Sequence, residues 1–366
     1  MPLLWTAISA HGYGHAAQVT PVLNELGRYL PDLRVIIRTN VPRAFFEDRL
    51  TVPWDLHPAQ LDIGCLQHGP LTMDWDATWH AHRNFHATWN ARVKGEASAI
   101  CAAGADLVLG NIPYLAMAAA AQAGVPAVAL ASLSWDEILR EHVDSNHPWQ
   151  TTLLDDMRRA YGRASLLLRI TPGLPMPAFR RAETIGAIAS PLPPARERIR
   201  DRIGVAPGDR LVLIAFGGIG FDRLPFEQME TMTGFHFVTS GIVHPQFRRS
   251  HALADIPDHF STLLSSADVV MTKPGYGTTI EAVAAQTPVV YVRRHNFADE
   301  TPIVEYLRRY GRGIELSRQD FEDARWEPAL RAAVALPIPA TPMPDMSGAS
   351  DAADRLLPLL STPKGS

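Results

Sequence analysis

The chain has 366 residues, which suits two cores of ordinary domain size rather than one. Hydrophobic residues at 46% and charged residues at 20% are the balance of a soluble globular chain and exclude a disordered or membrane-embedded one. A formal charge of -4 leaves no excess of Lys and Arg to neutralise a run of phosphates, which excludes nucleic acid as the main partner; two cysteines, Cys65 and Cys101, make no disulfide framework and fit a reducing, cytoplasmic compartment.

The apolar run at residues 3–9 lacks a basic leader and passes straight into His11-Gly12-Tyr13-Gly14-His15, so it reads as a first strand rather than a signal peptide. No stretch approaches the roughly 18 apolar residues that cross a bilayer, which leaves room only for peripheral membrane contact. Strand-length apolar runs at 33–39, 106–110 and 127–131 alternate with helical patterns, the βαβ signature of a parallel sheet. Residues 171–194 hold six prolines and little helical period. The rhythm then restarts at 210–216, 235–239, 268–272 and 288–293, predicting a second parallel sheet. These readings divide the chain into a Rossmann-like domain at 1–170, a linker at 171–200, a second Rossmann-like domain at 201–345, and a C-terminal helix at 346–366 able to pack back on the first domain.

Open parallel sheets bind ligands beyond the carboxyl ends of their strands, so the residues that follow each apolar run carry the functional information. Gly12 and Gly14 let the first loop turn tightly and approach a ligand, and His15 at the entry of a helix suits a general base; the plainer alternative is a strand-to-helix turn capped by His15. Gly217 and Gly218, with Gly220, can turn N–H donors toward an anion, although no Gly-Lys-Ser/Thr follows and no dinucleotide fingerprint is completed.

Lys273-Pro274-Gly275-Tyr276-Gly277-Thr278-Thr279-Ile280-Glu281 is the most specific string. Gly275 and Gly277 allow close approach, Thr278 and Thr279 offer hydroxyl and N–H donors at a helix N-terminus, Lys273 adds a cation, and Glu281 is shaped to accept from two ribose hydroxyls unless it serves as a capping-box acid for Thr278. Asn296, Asp299 and Glu300 follow the last strong strand, where the acids either bind sugar hydroxyls or serve as ordinary N-terminal helix acids. Trp135 and Asp136 follow the strand at 127–131, Trp135 as an aromatic platform or a buried anchor. His80, His82 and His86, and the Asp74-Trp75-Asp76 triplet, fit a metal only weakly, and no metal is assigned.

At these positions the chain resembles the GT-B glycosyltransferases. The first loop is similar to the glycine-and-histidine loop of the peptidoglycan N-acetylglucosaminyltransferase and of plant glucosyltransferases, and residues 273–281 resemble their donor-binding helix start. The chain also resembles, over most of its length, the glycosyltransferase-like N-terminal region of plant L-arabinokinases, through residues 11–17, Ser134-Trp135-Asp136-Glu137-Ile138, 175–180, and 275–300. The resemblance implies two Rossmann-like domains facing a central cleft, an N-terminal domain for the acceptor and a C-terminal one for a nucleotide sugar, UDP-linked in preference or dTDP-linked. It implies inverting, metal-independent transfer without a cofactor, with the acceptor unassigned. A nucleotide-sugar epimerase or hydrolase of the same fold, or a non-catalytic sugar-nucleotide binder, are the alternatives. The chain departs from plant glucosyltransferases at one point: their histidine is oriented by an aspartate, and the counterpart here is Asn111, with Asp136 as an auxiliary group.

Overall fold

The computed structural model describes residues 1–217 and 224–361. Gly218 and Gly220 lie outside the described residues. The chain divides into two compact units, one made of Met1–Leu66, Met73–Ile188 and Asp345–Ser366, the other of Gln67–Thr72 and Ala189–Pro344.

The first unit is built on a seven-stranded sheet of β1 (Leu3–Ile8), β2 (Arg34–Arg38), β3 (Trp54–His57), β4 (Leu107–Asn111), β5 (Ala127–Ala131), β6 (Leu166–Ile170) and β7 (Ala182–Ile185), in the order β3-β2-β1-β4-β5-β6-β7. The second carries a six-stranded sheet of β8 (Arg210–Ile214), β9 (Phe235–Thr239), β10 (Ser250–Ala252), β11 (Val269–Thr272), β12 (Val289–Tyr291) and β13 (Gly313–Glu315), in the order β10-β9-β8-β11-β12-β13. All the pairings are parallel. Every residue of β4 and β5 is buried, as expected of central strands covered by helices on both faces.

Each sheet reverses its winding direction once, between β1 and β4 in the first unit and between β8 and β11 in the second. At such a reversal the loops leaving two neighbouring strands part in opposite directions and open a crevice. Register places Ile8 beside Asn111 and Ile214 beside Met271, so the loops after each pair start at one level.

Residues 171–188, read from the sequence as linker, instead include β7, which pairs with β6 through Ile170 and Ile185; the prolines precede and follow this strand rather than interrupt it. Residues 67–72 join the second unit because Leu71 is buried in its core with Phe216, Phe321 and Trp326, and Arg318 donates to the Leu71 carbonyl at 3.2 Å and to Thr72 Oγ1 at 2.7 Å.

The helix Gly348–Ser361 packs on Gly14–Tyr29 and on β7, burying Ala352, Ala353, Leu356 and Leu360. Its start is pinned by backbone bonds from Ala187 N to Asp345 O at 3.0 Å and from Gly348 N to Ala187 O at 3.1 Å, and by Asp351, which accepts from Gly186 N at 3.0 Å. A Cβ on Gly348 would stand 2.2 Å from the Gly186 carbonyl oxygen, which is backbone and cannot swing away. Gly348→Ala is therefore expected to destabilise the first unit by about 1 to 3 kcal/mol, the usual cost of overpacking. A lower urea midpoint measures it, and an unchanged midpoint would mean that the 345–348 turn is not held as described.

Candidate functional site

The first crevice begins where β1 ends. The chain turns at Gly12, whose φ of 75° lies in the left-handed region that favours glycine, and enters the helix Gly14–Tyr29. Nothing lies within 4 Å of where a Cβ on Gly14 would sit, so the helix start is open in front of it.

His15 is buried, with its Nδ1 2.7 Å from Asn111 Oδ1 at the end of β4. Asn111 Nδ2 donates to Gln18 Oε1 at 2.8 Å, and Gln18 Nε2 donates to Ser132 Oγ at 3.0 Å. This amide relay fixes the tautomer: Asn111 turns its oxygen to His15, so Nδ1 must donate and Nε2 is left with its lone pair. Among the described residues Nε2 has no hydrogen-bond partner. Burial lowers the His15 pKa to about 4, and the Asn111 bond only partly offsets this, so the ring is neutral throughout the physiological range.

Trp135 is wholly buried, which settles it as an anchor rather than an exposed platform. Its ring centroid lies 5.2 Å from that of His11 and 5.7 Å from that of His15, and its Nε1 donates to Asp62 Oδ2 at 2.7 Å. Asp136, expected to assist His15, is turned elsewhere: it accepts from Ser134 Oγ at 2.7 Å and faces Arg158 Nε at 3.4 Å. Successive positions of a helix point about 100° apart, so with Trp135 directed at the histidines its neighbour cannot be. Asp62 was missed in the sequence, although an acid between Leu61 and Ile63 in an apolar triplet beyond a strand was a readable signal. Gln18, one turn beyond His15, was also missed.

The metal readings find other work for their residues. His82 Nε2 lies 2.8 Å from the Gly64 carbonyl, His86 Nε2 lies 3.1 Å from Tyr114 Oη, and Asp74 caps its helix by accepting from Ala77 N at 2.8 Å.

The second crevice is formed by the loops after β8 and β11. Gly217 has φ 75°, in the left-handed region that favours glycine, and Lys273 Cε lies 3.7 Å from where its Cβ would be, an ordinary van der Waals contact. The helix Tyr276–Ala284 starts after Gly275 with no side-chain cap, and its first-turn N–H groups, those of Gly277 and Thr278 among them, have no intrahelical acceptor. Helical spacing puts Gly277, Thr278 and Glu281 on one half-buried face. Thr279 falls on the opposite face and is wholly buried, its N–H bonded to Gly275 O at 3.1 Å, so its hydroxyl is not presented to a ligand as expected. Glu281 bonds Ser261 Oγ rather than capping Thr278.

After β12, Glu300 is spent inside the protein. It accepts from Arg294 Nε at 2.7 Å, from Arg294 N at 3.1 Å and from His295 N at 3.2 Å, and is 1% exposed. Its carboxylate shapes the 293–295 turn and is not left for sugar hydroxyls. Arg294 also reaches Asp299 Oδ1 at 3.4 Å and lies 3.9 Å from the Phe297 ring centroid. Burial pushes the Asp299 carboxyl up against the pull of Arg294, and burial pushes Lys273 down with Arg294 adding to it. Asn296 is half-buried on the same loop.

Two all-parallel units with this strand order define the GT-B fold, found in glycosyltransferases. The particular likenesses are these. No family model matches the chain. It is 28% identical over 338 residues to the L-arabinokinase of Arabidopsis thaliana, covering 90% of this chain and 32% of that protein. It is 24% identical over 168 residues to an uncharacterized glycosyltransferase of Methanopyrus kandleri, covering 44% and 48%. The chain thus spans about a third to a half of these relatives' lengths. Among solved structures it resembles the calicheamicin glycosyltransferase CalG4, at TM-score 0.64 and 19% identity over 100% of both chains. It also resembles the Phytolacca americana UGT2 complexed with UDP-2-fluoro-glucose and pterostilbene, at TM-score 0.56 and 13% identity over 98% and 94%. A third likeness is to the glycosyltransferase VinC in complex with dTDP, at 0.55 and 15% over 98% and 95%.

The His15–Asn111 geometry makes a direct expectation. In protein labelled with ¹⁵N-histidine, the His15 ring should show Nδ1 protonated and Nε2 bare at neutral pH and titrate near pH 4. Asn111→Asp adds a charge that favours imidazolium and should raise that pKa by at least about one unit. An unmoved titration would contradict the contact.

Proposed function

We propose that the chain is a glycosyltransferase that takes its sugar from a UDP- or dTDP-linked donor, by direct displacement with inversion and without a metal. The observation that carries this reading is His15, neutral and held through Nδ1 by Asn111, with Nε2 presented as a base at the first crevice. An acceptor hydroxyl must lose its proton as it attacks an anomeric carbon, and a bare imidazole nitrogen can take it. The donor side is supported by the uncapped helix start at Gly275, where first-turn N–H groups and the Thr278 hydroxyl suit a diphosphate and the helix dipole favours its charge. Gly217 and Lys273 border that start, Gly277 and Glu281 share its half-buried face, and Asp299 and Asn296 stand on the loop after β12 for the sugar. Two structural neighbours were solved with a UDP-sugar analogue and with dTDP, which agrees with this donor class.

A second reading, a sugar-nucleotide binder without turnover, is favoured by Asn111 itself, because an amide orients His15 without the charge that would stabilise imidazolium. Binding and turnover separate the two. Glu281→Ala is expected to weaken UDP or dTDP binding by about 1 to 3 kcal/mol in titration calorimetry, the loss of a charged hydrogen-bond partner; unchanged affinity would remove Glu281 from the nucleotide site. His15→Ala should keep nucleotide affinity and lower transfer at least about 100-fold, the usual scale for a general base. Full transfer activity in that variant would move the base elsewhere, and nucleotide binding with no transfer in the unaltered protein would favour the second reading.

A further inference from the structure

We infer that a cavity beside His11 in the first unit receives the acceptor, and that the acceptor is a single polyhydroxylated ring of monosaccharide or cyclitol size whose hydroxyl groups donate to Asp62. Its role as acceptor site rests on the transferase reading; the binding of such a ring does not.

The cavity lies among the chain segments that leave β1, β2 and β3 and has a volume of about 230 Å³. That is below the roughly 300 to 1,000 Å³ of sites for drug-sized molecules, so a lone ring suits it better than an extended one. Its wall mixes the polar side chains of His11, Asn40, Gln60 and Asp62 with the apolar ones of Leu61 and Ile63. A sugar ring asks for this mixture, with hydroxyl groups at its edge and C–H groups on its faces.

Asp62 is the decisive group. It is 7% exposed and accepts the Trp135 indole N–H at 2.7 Å and the Ser9 hydroxyl, both neutral donors. Among the described residues no Lys, Arg or His forms an ion pair with it. Holding the Trp135 indole requires only an acceptor, and an asparagine would serve without the cost of burying a charge. A carboxylate has about four acceptor positions, and two are accounted for. Burial raises its pKa to about 6, so at neutral pH it is ionised and can take further donors. A ligand bringing several hydroxyl groups to the cavity would satisfy those positions and offset the cost of burial.

The test is saturation-transfer NMR and calorimetry on the full chain with D-glucose, D-galactose, D-xylose and myo-inositol, each with and without UDP, and with 4-nitrophenol as a flat aromatic alcohol. Two variants accompany it: Asp62→Asn, which keeps an acceptor for Trp135, and Ala59→Trp, which adds bulk at the cavity wall and leaves the Asp62 carboxylate in the sequence. At least one ring polyol is expected to bind, and to bind at least about tenfold more weakly in both variants. Binding of none of the four, preference for 4-nitrophenol, or equal polyol affinity in both variants would overturn the inference. Nucleotide titration of the same samples keeps the two readings apart: UDP binding without polyol binding removes the cavity's role alone, and polyol binding without UDP binding removes the donor reading alone.

Discussion

Parallel strands discharge their chain at one edge of the sheet, and both units of this protein place their candidate site residues there. His15, Asn111, Ser132 and Trp135 all follow or close β1, β4 and β5. Gly217, Lys273, Gly275, Thr278 and the 293–300 loop stand in the same relation to β8, β11 and β12. The winding reversal beside β1 and beside β8 then opens a gap between neighbouring loops. Without it, Asn111 and the first turn of the His15 helix would not meet at hydrogen-bonding distance, nor would the Lys273 side chain lie along Gly217.

The two crevices differ in electrostatics. The first is neutral around its histidine: an amide, a second amide and a hydroxyl form the relay that orients the ring, and burial keeps the ring uncharged. The nearby carboxylate, Asp62, accepts from the Trp135 indole, whose ring centroid lies 5.7 Å from that of His15. The second is densely charged, with Lys273, Arg294, Asp299 and Glu300 all buried. Buried charges need partners, and Glu300 takes three donors around the 294 position.

The fold was legible because fully buried central strands read as continuous apolar runs, and those of β1, β4, β5, β8 and β11 are long enough to see. The edge strands β3, β10 and β13 were not, since three or four residues are too few for an alternation to stand out from the surrounding loops. Of the candidate residues, His15, Gly12, Gly217, Lys273 and Gly275 were readable from their place after an apolar run. The direction of each side chain was less so: Thr279 and Glu300 have suitable chemistry in the right loops, but helical phase buries one and the Arg294 turn consumes the other. Asp62 and Gln18 act through contacts with residues 73 and 114 positions away, which no local pattern announces.

The path of the chain between units has a consequence for how the protein is made. The helix Gly348–Ser361 completes the first unit, yet the ribosome must synthesise all of the second before that helix appears. At about 5 to 20 residues per second this leaves the apolar surface of Gly14–Tyr29 and β7 uncovered for on the order of ten seconds. The first unit is therefore finished after the second. During that interval its exposed face has the same need for a covering partner as any unfinished core, so nascent chains halted before residue 348 would be the aggregation-prone species in the life of this protein.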